Sequence, residues 1–140
     1  MKKTIILFLT FMLFSCGTQK YNSDGELPLF EILKEDQFNG ANFKFYEIIS
    51  ESNEFKLLLN DSDLKKKVSP KDIVTSNFIV FNLGEKTTGG YAIQIKNVEE
   101  TEDSIIVTVE EVVPKYVATT VMTYPMMVVK INSKKPIIFN

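Results

Sequence analysis

The 140-residue chain has no arginine, no histidine and no tryptophan, and its single cysteine is Cys16. Without histidine there is no imidazole base, no Ser-His or Cys-His nucleophile pair and no His-bearing zinc site. Without arginine there is no bidentate fork for phosphates or guanine edges, and a formal charge of −2 supplies no field to draw in nucleic acid. One cysteine allows no intramolecular disulfide, so a hydrophobic core must hold the fold. The composition meets that need: 44% of residues are hydrophobic, enough for one domain of this length.

The first sixteen residues read as an address. Lys2 and Lys3 precede an apolar run from Ile5 to Phe14 that is too short to span a bilayer as a helix and has the length of a signal-peptide core. The run ends Leu13-Phe14-Ser15-Cys16-Gly17, which resembles a bacterial lipobox. Residues 1–15 are therefore expected to be a lipoprotein signal peptide and Cys16 the lipidated first residue, carrying acyl chains such as palmitate. Cleavage before Cys16 would leave 125 residues, and losing Lys2 and Lys3 takes the charge to −4. Residues 16–26 read as a flexible polar tether and 27–140 as a single domain. Gly17 after the cysteine gives no acidic retention signal, which points to the outer membrane of a bacterial envelope.

Within the domain, Leu27 to Leu33 contains Pro28 and suits an edge segment. Residues 43–49 alternate as a strand, with Phe43, Phe45, Glu47 and Ile49 opposite Tyr46 and Ile48. A helix is predicted from Asn53 to about Lys66, capped by Ser50 or Ser52, with Phe55, Leu58 and Leu59 on its inner face. Phe78 to Phe81 is a continuous apolar run expected to be a buried central strand. Tyr91, Ile93 and Ile95 alternate after a polar connection, predicting a hairpin with that strand. A second pair of alternating strands flanks the acidic turn Glu99 to Asp103, and Val117–Met122, Met126–Ile131 and Ile137–Phe139 supply the last strands. The fold class expected is α+β, mainly antiparallel sheet arranged as a bent sheet, sandwich or small barrel, with one early helix.

Chemistry-bearing patterns are few. Glu110 and Glu111 are adjacent on a strand and point to opposite faces, so they cannot serve one substrate together. Asp61 and Asp63 resemble the start of a calcium loop, but the central glycine and distal glutamate are missing and Lys65-Lys66-Lys67 follows. Nothing in the spacing points to a Ser-Lys pair. No cofactor, no metal and no catalytic residue is expected, and the chain reads as a non-enzyme. The informative stretch is Gly84-Glu85-Lys86-Thr87-Thr88-Gly89-Gly90-Tyr91. It does not match a phosphate loop. Its paired glycines permit positive φ and close approach of another chain, beside two threonine hydroxyls and an amphipathic tyrosine. Either the glycines serve only the geometry of a bulged hairpin, or Lys86, Thr87, Thr88, Gly89, Gly90 and Tyr91 form a protein-binding loop.

This stretch, with the following Ile93, Ile95, Val98, Val107-Thr108-Val109-Glu110 and Pro114, resembles the PrcB C-terminal domain. That family's hallmark is a G-x-K-x-T-G-G-Y stretch, usually with proline where this chain has Thr87. Thr123-Tyr124-Pro125 and Val128-Val129-Lys130-Ile131 are similar to the family's closing T-x-P and strand. The resemblance covers about Phe78 to Ile131. It implies a non-catalytic, membrane-anchored subunit that associates with an envelope protein, the family's namesake partner being a surface protease. Thr87-Thr88-Gly89 before Tyr91 is also similar to the N-P-T-T-G-Y-x-W loop of chagasin-type cysteine-protease inhibitors. Here Glu85-Lys86 replaces Asn-Pro, Gly90 is extra, and the inhibitors' R-P-W loop is impossible without arginine or tryptophan. Protease inhibition through Thr87 to Tyr91 is the alternative function.

Overall fold

The computed structural model describes residues 27–116 and 119–140; the expected leader, Cys16 and the tether lie outside the described residues. Seven strands and one short helix follow in the order β1 (Phe30–Asp36), β2 (Lys44–Ile49), α1 (Ser52–Leu58), β3 (Asn77–Leu83), β4 (Ala92–Glu100), β5 (Ile105–Val112), β6 (Met126–Ile131) and β7 (Ile137–Phe139). They form two open sheets, β1-β6-β3-β2 and β4-β5-β7, in an α+β fold whose one parallel pair is β5 with β7. No helix among the described residues is long and apolar enough to cross a membrane.

The hydrophobic pattern explains the layering. β3 is buried along nearly its whole length because both of its faces are covered. Ile79, Phe81 and Leu83 face the second sheet and pack with Ile93, Ile105, Val107, Met127, Val129 and Ile131. Phe78 faces the other way, into a core shared with Leu33, Ile49, Phe55, Leu64, Ile73 and Val128. The first sheet is thus the middle layer, with the second sheet on one face and the segment 52–74 on the other. β4 and β5 cover only one face and alternate accordingly. β1 lies at an edge, as Pro28 suggested, with a register break between Ile32 and Lys34.

Four expectations are corrected. The helix ends at Leu58, not near Lys66, and continues as 3-10 turns at Leu64–Lys66 and Asp72–Val74. Asp61 breaks it: Oδ1 accepts the Asp63 and Leu64 amides at 2.9 and 3.2 Å, offering the backbone an alternative to the helical ladder. The N-cap is Glu51 with no side-chain bond, so neither Ser50 nor Ser52 caps α1. Phe55 is buried as expected. β3 and β4 do not form a hairpin, because both pairing edges of β3 are taken by β2 and β6; the connection crosses between the sheets. Residues 119–122 are not a strand; just beyond them Thr123 forms an isolated bridge with Lys86 of the loop. Val117 and Ala118 lie outside the described residues.

Strand direction sorts the connections. β1 runs antiparallel to β6, from Phe30 opposite Ile131 to Asp36 opposite Met126, and β3 runs the same way as β1. Leu27, the 101–104 turn and residues 132–136 therefore share one end of the molecule. The connections 37–43, 84–91 and 113–125 share the other, called here the loop end.

Candidate functional site

Backbone bonds cross-brace the three connections. The chain leaves β3 at Gly84, whose φ of 76° suits only glycine where the Lys44 amide and the end of Asn42–Phe43 crowd in. Lys86 and Thr123 exchange backbone bonds at 2.8 and 2.9 Å, and the buried Thr123 hydroxyl donates to the Thr88 carbonyl at 3.0 Å. The Gly89 amide donates to the Thr119 carbonyl at 3.2 Å. Gly90 has φ 90°, and a Cβ there would meet Pro114 Cβ at 3.0 Å. On the first sheet, buried Asn82 donates from Nδ2 to the Ala41 and Phe43 carbonyls and accepts the Ala41 amide, pinning the 37–43 connection across the strand ends. Glu85 accepts the Tyr124 hydroxyl at 3.1 Å, which raises the tyrosine pKa above its ordinary value.

The charged centre is Glu111. It occupies the inward-facing row of β5 after Ile105, Val107 and Val109, while Glu110 points outward and pairs with Lys96 at 2.9 Å. Glu111 Oε1 accepts from Lys86 Nζ at 2.6 Å and Oε2 from Lys44 Nζ at 2.9 Å. Lys86 Nζ also sits 4.9 Å from the Tyr91 ring centroid. The Lys86 bond, seconded by Lys44, holds the Glu111 carboxyl below its ordinary pKa, and the Glu111 bond raises that of Lys44.

A Lys34 bond lowers Asp61 in the same way, and bonds from Asn39 and the Phe38 amide lower Asp36. For all three carboxyls the folded pKa lies below the unfolded one, so the folded state binds fewer protons over that interval. Their stabilisation is complete above the unfolded carboxylate value of about 4 and is lost as pH falls through the folded values. A urea midpoint followed downward from about pH 6 should therefore hold and then fall below about pH 4. A midpoint that rises there would contradict these pairings.

The span from β3 through β6, which contains the loop, matches a family model: residues 77–132 correspond to PrcB C-terminal. Over that span the chain is similar to the PrcB C-terminal family. β1, β2, α1 and β7 lie outside the match. An uncharacterized protein of Methanocaldococcus jannaschii is 43% identical over 54 residues, which is 39% of this chain and 33% of that protein. The chain thus spans about a third of the length of that relative. No solved structure matches the chain. The chagasin-type alternative is not favoured, since the family match is to PrcB and the loop is braced against Thr119 and Thr123 instead of projecting as a wedge.

Within the PrcB C-terminal segment the six predicted loop residues divide by environment. Lys86 is spent on Glu111 and Tyr91, and Tyr91 packs half-buried against the inter-sheet core. Thr88 and Gly89 are half-buried, while Thr87 and Gly90 are exposed. Only Gly90 of the glycine pair takes a positive φ. The early calcium-like pair is occupied otherwise: Asp61 accepts Lys34 at 2.5 Å, and the described residues contain no cluster of three metal-ligating side chains. Sequence reading missed the apolar rim around the loop. Tyr116 is 90% exposed, Val113 56%, Met122 51% and Val121 44%. The sequence names Glu111 only as a carboxylate facing away from Glu110, and its pairing with Lys44 and Lys86 is not visible there, although its place in an otherwise apolar alternating row is a signal.

Proposed function

We propose that this chain is a non-catalytic binding subunit of the bacterial envelope, anchored by lipid at Cys16, that holds a protein partner at its loop end. The carrying observation is the apolar rim of Val113, Tyr116, Val121 and Met122 around a loop that backbone bonds and the Glu111 pairs hold in one shape. Exposed apolar side chains on a connection braced by backbone bonds suit a protein interface, with Tyr116 as an aromatic anchor. The PrcB likeness supports an envelope protein as partner, with a surface protease the class it implies. Two lysines occupy the Glu111 carboxylate, which favours structural use of that group over acid-base use.

Crosslinked recovery of envelope proteins on the anchored wild-type chain and on Gly90→Val tests this reading. Valine at φ 90°, against Pro114, distorts the loop without touching either core. The expected result is loss of one specific protein from the variant at equal secretion and anchoring, with a protease assay separating assembly from inhibition. Identical recovery by both chains would take the loop out of the interface.

A further inference from the structure

We infer that Glu111 is the positioning residue of the docking loop: a carboxylate supplied by the second sheet fixes the shape in which residues 86–91 are presented. This rests on the docking reading above for its biological use, but its geometry stands on its own. Glu111 sits at the rim of the inter-sheet core, and its two oxygens serve two different elements, Lys44 of β2 in the first sheet and Lys86 of the loop. Each ammonium also faces a tyrosine ring of that core, Lys86 over Tyr91 at 4.9 Å and Lys44 over Tyr46 at 5.7 Å. The Lys86 side chain is 19% exposed and that of Glu111 23%, so the pair is shielded more than a surface ion pair.

Removing the carboxylate would leave two ammonium groups facing one another beside the same core. Lys44, half-exposed, can turn to water. Lys86 is the more enclosed and must move its stem, and with it the backbone that bridges to Thr123. Lys86 thus acts on a partner through the loop's shape and not by direct contact. Freeing it by removing Glu111 should weaken docking; direct contact would strengthen it.

The test is amide hydrogen exchange by NMR on the full 15N-labelled chain in mild detergent, comparing wild type with Glu111→Gln. The Lys86, Gly89 and Thr123 amides should exchange about tenfold faster, with Ile79 and Val129 unchanged and the Tyr91 ring signals displaced. Loop amides as slow as in wild type, or accelerated by the same factor as Ile79 and Val129, would overturn the inference. Lys86→Gln should reproduce the loop pattern and serves if Glu111→Gln does not fold. The two readings fail separately. Faster loop exchange with recovery of the partner indifferent to Gly90→Val sinks docking alone, whereas loop-dependent recovery with unchanged exchange in Glu111→Gln sinks the positioning role alone.

Discussion

Phe78→Ala should lower the free energy of unfolding by about 3–5 kcal/mol, read as a urea midpoint shift at constant slope. Phe78 is fully buried on the central strand, facing the helical layer. Its ring stacks on Phe55 with centroids 4.4 Å apart, and Leu33, Ile49, Leu64 and Val128 belong to the same core. Backbone pairing with β2 and β6 on both sides prevents β3 from shifting to fill the space, so the truncation leaves a cavity instead of a collapse. A domain with a total stability of about 5–15 kcal/mol would lose a large part of it. A loss under about 1 kcal/mol would mean that 52–74 does not pack on the sheet as described.

Gly40→Ala should cost about 2–4 kcal/mol, although the residue lies in a connection and not in a core. A Cβ there would overlap Asn82 Oδ1 and the Tyr124 carbonyl oxygen. Neither can retreat: Asn82 is bonded to both the amide and the carbonyl of Ala41, and the Tyr124 carbonyl accepts the Gly40 amide at 3.0 Å. Relief of the clash must break bonds to buried polar groups, which adds a desolvation cost to the steric one. Gly89→Ala is the control. Its Cβ would meet only the Thr119 hydroxyl, at 3.2 Å, and the change should stay within about 0.5 kcal/mol. Equal losses at the two glycines would remove the special place of Gly40.

The contrast between these positions shows what could be read from the sequence. Phe78 to Phe81, apolar without alternation, correctly announced a strand covered on both faces, and alternation in Ile105 to Glu111 announced one covered on a single face. Local pattern does not say which strands become neighbours. The expected hairpin of β3 and β4 failed because β2 and β6 already flank β3, a fact fixed by pairings far apart in sequence. Apolar spacing that continues past Asp61 suggests a longer helix than forms, because the Asp61 carboxylate competes for the amides that a longer helix would need. The Gly84-to-Tyr91 stretch was legible as unusual. Its dependence on Glu111, Lys44 and Thr123 was not, since each arrives from a different strand or connection. Gly40 gave no sign at all, because what it makes room for is Asn82, forty-two residues later.

The direction of β1 carries a final consequence. Its seven residues rise about 3.3 Å each, so the point where the preceding chain enters stands on the order of 20 Å from the loops along the strand axis. Attachment through the N-terminal side leaves the Tyr116 rim at the end of the domain away from the support. The folded body then acts as a stand-off, and an approaching macromolecule meets that rim before it meets the support. Attachment near Tyr116 itself would invert the domain and hide the rim.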